Sequence, residues 1–337
     1  MDFLQDIVEK AKIIRARIVL PEGEDPRILL AASQARDAGI ASMTLLGNSD
    51  KMAATAQAVG IDLRNISQID PSNSPLLAGF AEVYRVLNPA KAFTNEVAQQ
   101  EMLSPLRFAT MMVREGYADV TVGGVAHPTS DVIRAAKRII GQSPHSNLVS
   151  SYFLIVFDEP RHERKGTFVF ADCALVVDPN AQQLAHIAVD AARSMRAMTG
   201  QIPRVGMLSF STMGSAIHPR VRKVMEATAL AKKAEPDLLI EGEVQFDAAF
   251  VPSVSKSKIK DSVLKGEANV LVFPNLDAGN IGYKIAQRLG GAKAIGPILQ
   301  GLAKPANDLS RGASAADVLQ MIAVTCVQCG VALSKND

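Results

Sequence analysis

The sequence predicts an α/β protein built on mostly parallel sheets, and three observations carry that expectation. Through the first half of the chain, short β-rich runs alternate with helical patterns, and each helix is closed by a turn signal or glycine. Such alternation calls for crossover connections and so for parallel strands. The chain has 337 residues, 48% hydrophobic and 21% charged, which supplies core material for two domains. Aromatic residues make up only 5% and tryptophan is absent, so that core must be aliphatic.

The elements follow in order. Arg17–Leu20 reads as a strand ending at Pro21-Glu22-Gly23. Asp25 caps the next helix, Pro26 stands at its first position and Gly39 closes it. Met43–Leu46 is a second strand, followed by a helix from Ser49 to about Val59. Ile66–Ile69 is a third, with a helix through Phe80, Val83, Tyr84 and Leu87. Ser104-Pro105 opens a helix that Gly116 ends, and Asp119–Val122 returns as strand. The composition shifts at 141–149 (GQSPHSNLV), which places a domain boundary near 146. Ser151–Phe157 and Gly166–Phe170 then read as an antiparallel hairpin around the charged tip DEPRHERK. A long helix over about 180–199, strands at Arg204–Ser209 and Leu238–Glu241, and a last clear strand at Asn269–Phe273 complete the second domain.

Four glycine-, hydroxyl- or Asn-rich turns follow strands, at 123–131, 209–215, 275–282 and 307–314. Backbone N–H groups in such turns bind phosphate or carboxylate oxygens without a side-chain charge, and strand exits are where open α/β sheets hold ligands. The run Gly296–Asp317 gathers Gly296, Gly301, Gly312, Pro297 and Pro305, so regular structure is disfavoured over most of it. A helix with Ser314 as N-cap and Asp317 as third residue follows at once. Two readings stand side by side here: an anion-binding loop before a helix, or a capping box that only starts the helix.

Several chemistries are excluded by pattern. Neither G-x-x-x-x-G-K-[ST] nor a G-x-G-x-x-G after a strand occurs, so the P-loop and dinucleotide fingerprints are missing. The five histidines lack zinc-ligand spacing, no G-x-S-x-G elbow is present, and the acids at Glu22/Glu24/Asp25 and Glu241/Glu243 read as turn and cap acids. No metal is expected. A net charge of +2 offers no basic footprint for nucleic acid, no apolar run approaches a membrane span, and the N-terminus is amphipathic and acid-bearing, unlike a signal peptide. Cys326-x-x-Cys329 falls late in a predicted helix, whereas a redox pair needs a helix N-terminus to favour its thiolate. A cytoplasmic enzyme with reduced thiols is the expectation.

NDLSRG with Asp317 beyond it, FPNLDAGNIGYKIAQRLGG, EGEVQFDAAFVP, MLSFSTMGSA and GGVAHPTSDVIRAA together resemble the phosphate acetyltransferases (phosphotransacetylases) of the phosphate acetyl/butyryltransferase family. The resemblance runs from about Arg17 to Gln328. It implies reversible acetyl transfer between coenzyme A and inorganic phosphate, with no tightly bound cofactor and small-molecule partners only. It further implies an isocitrate/isopropylmalate dehydrogenase-like three-layer architecture: a discontinuous domain I (1–146 plus 302–337), domain II (147–301), a cleft between them, and a homodimer. Carried over residue by residue, Asp317 is the base for the coenzyme A thiol. Ser310 hydrogen-bonds the thiolate or oxyanion, and Arg311 holds phosphoryl or carbonyl oxygens. Arg85 and Arg134 match substrate-binding arginines, Thr129 and Ser130 fit a phosphate seat, and Lys284 and Gln300 belong to the same pocket. The sequence departs from the pattern in lacking a cysteine over 158–165 and in carrying Ala313 where many members have cysteine, so no cysteine is given a role.

Physical chemistry fits unevenly. A guanidinium binds two phosphoryl oxygens at once. A carboxylate near pKa 3.9 is a weak base for a thiol near about 8.5, and the first turn of a helix favours its charged form. The rival expectations are a butyryl- or propionyl-preferring relative, a catalytically silent acyl-CoA-sensing domain, and a decarboxylating dehydrogenase, which would need a metal carboxylate cluster.

Overall fold

The computed structural model describes residues 3–144 and 146–333, with side chains to Gly330. Met1, Asp2, His145 and residues 334–337 lie outside the described residues, and with them the ends of the expected first domain. The described chain divides into two compact units: Phe3–Ser143 together with the chain from Leu302 onward, and Pro144–Gly301.

In the first unit, α1 (Phe3–Ile14), β1 (Arg17–Leu20), α2 (Pro26–Asp37), β2 (Ser42–Leu46), α3 (Ser49–Ala58) and β3 (Ser67–Ile69) come first. Next are α4 (Leu77–Leu87), α5 (Asn95–Met102), α6 (Pro105–Arg114), β4 (Val120–Gly123) and α7 (Thr129–Ala135). With β11 (Ala306–Asp308), which the chain contributes after the second unit, the sheet is wholly parallel, in the order β11-β4-β1-β2-β3. Strand order therefore reverses between β1 and β4, the switch point where doubly wound sheets bind ligands. Apart from the exposed Arg17 and the polar Thr121, strands β1 and β4 are buried apolar residues and glycine, as a sheet covered on both faces requires. One core cluster packs Phe80 and Tyr84 of α4 against Met102 of α5 and Phe108, Met111 and Val113 of α6. Helix α5 is an addition to the expected elements; its apolar positions, Val97, Ala98 and Met102, are too few for a clear 3.6-residue stripe.

The second unit holds β5 (Ser150–Phe157), β6 (Gly166–Ala171), α8 (Ala181–Thr199), β7 (Arg204–Leu208), α9 (Pro219–Ala234) and β8 (Leu239–Val244). It continues with α10 (Phe246–Phe250), α11 (Pro252–Lys258), β9 (Val270–Val272), α12 (Leu276–Arg288) and β10 (Lys293–Gln300). Its sheet order is β10-β5-β6-β9-β7-β8, parallel from β6 to β8 and antiparallel at the β10-β5-β6 end.

The run after Gly296 corrects one expectation. Strand enters the run twice, β10 covering 296–300, Pro297 included, and β11 (Ala306–Asp308) pairing in parallel with β4, while 301–305 and 309–314 lie outside strand and helix. Proline is tolerated because β10 is an edge strand whose register shifts between Ile295 and Ile298, so no ladder donor is lost. Asn269–Phe273 is thus not the last strand. Helix α13 (Ala315–Leu333) then packs on α1 and α2 of the first unit.

Candidate active site

At the carboxyl ends of β1, β4 and β11 in the first unit, three strand exits are tied together by side chains. Glu22, two residues beyond β1, is buried and takes hydrogen bonds from the backbone N–H groups of Gly124 (2.8 Å), Val125 (2.9 Å) and Ala126 (2.7 Å). His127 Nδ1 lies 2.7 Å from Oε1, the oxygen that also accepts from Ala126, while Gly124 and Val125 donate to Oε2. Burial alone would push the Glu22 carboxyl up, but His127 and the three N–H donors outweigh it and hold it below the usual range. His127 is correspondingly raised by Glu22 against the opposing effect of its partial burial.

This overturns two expectations. Glu22 is not merely a turn acid, and the 123–131 turn does not keep these N–H groups for a ligand, because the protein's own carboxylate occupies them. The second unit repeats the device at 209–215. Glu243, buried in β8, accepts from Gly214 N (2.7 Å) and Ser211 Oγ (2.9 Å). Glu241 likewise accepts from Ser262 Oγ and Val263 N. In each case the captured turn is distant in sequence, so the acids themselves offer no local sign of it.

Asp308 ends β11. Its Oδ2 lies 2.5 Å from Thr129 Oγ1, while Oδ1 is buried without a partner. Burial is the largest influence on it, and with the nearby Glu22 charge it pushes the carboxyl up to about 7 against the opposing pull of the Thr129 hydroxyl and the nearby Leu309 N–H. Gly124 permits this packing. At φ +126°, an added Cβ would clash with Asp308 Oδ1 and lie 2.6 Å from Leu309 O.

Arg27, on the first turn of α2, clamps the loops. Its guanidinium pairs with the capping Asp25 and donates to Val125 O (3.1 Å), Arg311 O (2.8 Å) and Ala313 O (3.0 Å). Leu309 N donates to Gly123 O, so the turn carrying Thr129 and the loop carrying Ser310 and Arg311 form one assembly.

The expected residues fall as follows. Ser310 and Arg311 are exposed; Ser310 Oγ accepts from Gly312 N, and the Arg311 side chain has no hydrogen-bonding partner among the described residues. Asp317 is exposed and closes a capping box. Its Oδ2 accepts from Ser314 N and Oγ at 2.8 Å each, and its own N–H donates to Ser314 Oγ. Thr129 and Ser130 open α7, both exposed. Arg134 pairs with Asp131 at 2.7 Å and borders a cavity of about 260 Å³, which Arg107, Arg138 and His127 also line. Arg85 lies on the exposed face of α4, paired with Glu82 at 2.7 Å. Lys284 and Gln300 belong to the second unit. Lys284 is exposed on α12, whereas Gln300 is buried, donating to Ser150 Oγ and accepting from Ser194 Oγ.

Sequence reasoning gave no functional part to Glu22, Arg27, Asp308, Arg107 or Arg138: Glu22 reads there only as a turn acid, and Asp308 stands without an assigned role inside NDLSRG. The cysteines are buried, with Cys326 and Cys329 pushed by burial to about 12 and about 11, so neither is a ready thiolate. Among the described residues no group of three or more His, Cys, Asp or Glu could hold a metal ion, and no helix is long and apolar enough to cross a membrane.

Comparison with known proteins places this geometry. The family model described as phosphate acetyl/butaryl transferase matches residues 2–326. A phosphate acetyltransferase of Thermoanaerobacterium thermosaccharolyticum is 46% identical over 328 residues, covering 97% of this chain and 99% of that protein. The crystal structure of a phosphotransacetylase from Streptococcus pyogenes superposes with TM-score 0.92 at 41% identity, covering 97% and 98%. A 4-hydroxythreonine-4-phosphate dehydrogenase from Klebsiella pneumoniae, at 13% identity and TM-score 0.52 over 94% and 99% of the two chains, shares the fold alone. The chain belongs to the phosphate acetyl/butaryl transferase family.

Proposed function

We propose that the enzyme, which transfers acetyl groups reversibly between coenzyme A and inorganic phosphate, does so through direct reaction of the two substrates in a ternary complex. The observation that carries this reading is the single assembly of Thr129, Ser310 and Arg311, clamped by Arg27 beside a cavity bordered by Arg107, Arg134, Arg138 and His127. Cationic and hydroxyl side chains suit two anionic substrates, and no candidate nucleophile with an activating partner stands among them.

In the direction of acetyl-CoA formation, the thiol proton passes to Asp317 and sulfur attacks the carbonyl carbon of acetyl phosphate. The carbonyl oxygen becomes an oxyanion, then the C–O bond to phosphate breaks and phosphate leaves. Ser310 donates to the thiolate or oxyanion, and Arg311 holds phosphoryl oxygens by a bidentate contact. Thr129 and Ser130 seat the phosphate, and Arg134 and Arg85 bind substrate phosphates. The cap does not bar Asp317 from this role, because Oδ2 takes both Ser314 bonds and leaves the other carboxylate oxygen for the thiol. The assignment of Lys284 and Gln300 to substrate binding rests on the family pattern alone.

No metal takes part in this scheme, acetyl is preferred over longer acyl groups, and the enzyme works in the cytoplasm as a homodimer. The dimer is supported by an apolar stripe on and just beyond α12, where Ile281, Ile285 and Leu289 stand 58%, 52% and 82% exposed at one-turn spacing. Formation of acetyl-CoA from acetyl phosphate and coenzyme A should persist in excess chelator. Loss of turnover under chelation defeats the metal-free scheme. Arg311→Gln should cut kcat/KM by about a hundredfold or more while leaving the melting temperature unchanged, since the side chain is exposed.

A further inference from the structure

Asp308 has no part in the transfer scheme, yet it is 1% exposed, has one oxygen without a partner, and touches a residue of the phosphate seat. We propose that Asp308 is a positioning residue for that seat: protonated on Oδ2, it donates to Thr129 Oγ1 and leaves the Thr129 hydroxyl hydrogen to donate to a phosphate or phosphoryl oxygen. The inference rests on the assignment of Thr129 to the seat.

A hydroxyl has one hydrogen and two acceptor lone pairs. At 2.5 Å from Asp308 Oδ2, the Thr129 hydroxyl makes a short contact in which one of the two oxygens must carry the proton. An ionised Asp308 accepts only, so it takes the Thr129 hydrogen and turns lone pairs toward the incoming anion. A neutral Asp308 donates instead, and Thr129, exposed at the start of α7, becomes a donor to that anion.

The surroundings favour the neutral form. Oδ1 sits against Gly124 and Leu309, and a partnerless carbonyl oxygen is tolerated there better than a partnerless carboxylate oxygen. Of the charged groups on the adjoining elements, Glu22 beyond β1 repels a second negative charge. His127, on the β4 turn, is engaged by Glu22 and also influenced by Asp131. Arg27 of α2 is engaged by Asp25 and three carbonyl groups. Two carboxyls thus flank one turn in opposite states, Glu22 ionised and Asp308 protonated, the pattern by which neighbouring environments divide acid from base.

Sulfate tests this, because it stays a dianion throughout the range and does not titrate with the protein. Calorimetric titration of sulfate into the whole enzyme should show affinity falling about ten- to a hundredfold between about pH 6 and about pH 8.5, the worth of one hydrogen bond to a charged group. Asp308→Asn keeps a permanent donor to Thr129 and should reduce that profile to the shallower slope that His127, raised by Glu22 and lining the neighbouring cavity, contributes by itself; Thr129→Val should bind sulfate weakly with that same residual slope. A wild-type profile no steeper than this overturns the proposal, as does a Thr129→Val slope as steep as that of the wild type, a comparison that stands even if Asp308→Asn fails to fold. Wild-type affinity in Thr129→Val at about pH 6 instead defeats the assignment of Thr129 to the seat.

Discussion

Glu22 and His127 are 105 residues apart in sequence and 2.7 Å apart in space, joined where the parallel sheet of the first unit reverses its strand order. Glu22 also satisfies three consecutive backbone N–H groups of the same turn, so one buried carboxylate fixes the backbone that leads into Thr129.

Replacing Glu22 with alanine orphans those donors and the imidazole. A loss of about 3–5 kcal/mol in unfolding free energy is expected, measured by denaturant titration. The pH dependence has two limbs. Glu22 is lowered in the fold, so its contribution is present above the unfolded carboxyl value and is lost as pH falls through the folded one. His127 is raised, so its contribution is present below about 6.5 and is lost as pH rises through its folded value. NMR titration of the His127 ring should find it above the reference in the wild type and lower in Glu22→Gln. An unmoved titration would show that the contact is incidental.

Gly124 should tolerate no side chain. Its φ of +126° is one that L residues rarely adopt, and a Cβ would lie 2.6 Å from Leu309 O and 2.8 Å from Leu309 N, backbone atoms held in place by the Leu309 bond to Gly123. Gly124→Ala should cost at least about 2 kcal/mol and lower kcat/KM, because relief of the clash moves Leu309 and with it Ser310. Gly39 has the same kind of positive φ but open space around it, so Gly39→Ala should cost about 1 kcal/mol and leave activity intact. Equal effects at both sites would show that close approach plays no part.

These two residues mark where legibility ended. The strands β1, β2 and β4 announce themselves by apolar runs followed by turn residues, and Asp25 and Ser314 announce helix starts by local hydrogen bonding, which is short-range physics. Glu22 reaches the Gly124 turn only because β1 and β4 are neighbours, and adjacency in a parallel sheet depends on which crossover goes to which side. The same holds for Arg27, whose partners at 125, 311 and 313 come from two further strand exits. Strand β10 stayed hidden because proline argues against a ladder everywhere except at an edge or a bulge, and being an edge is a property of the whole sheet.

Asp308 should leave its mark on stability as well. Its carboxyl rises from the ordinary 3.8 to about 7, so its contribution is fully present below the unfolded value and is lost as pH climbs through about 7. A rise of about three units corresponds to something on the order of 4 kcal/mol lost between about pH 4 and about pH 8. Asp308→Asn has no proton to lose, so its unfolding free energy should decline less over that interval. Parallel profiles for the two proteins would mean that Asp308 ionises normally.

Asp317 and Ser314 separate the cap from the chemistry. Both belong to the capping box that starts α13, and both are exposed, so either change to alanine should cost about 1 kcal/mol of stability. Their kinetics should differ. Ser314→Ala leaves the Asp317 carboxylate on the same helix turn and should lower kcat by less than about tenfold. Asp317→Ala removes the acceptor for the thiol proton and should lower kcat by about a hundredfold or more, with KM for coenzyme A nearly constant, the signature of an interaction made in the transition state. Asp317→Asn completes the comparison: its amide oxygen can still accept one Ser314 bond, so stability should lie closer to wild type, yet it cannot take a proton. If Asp317→Asn turned over like the wild type, the residue would be a cap and the thiol would lose its proton elsewhere.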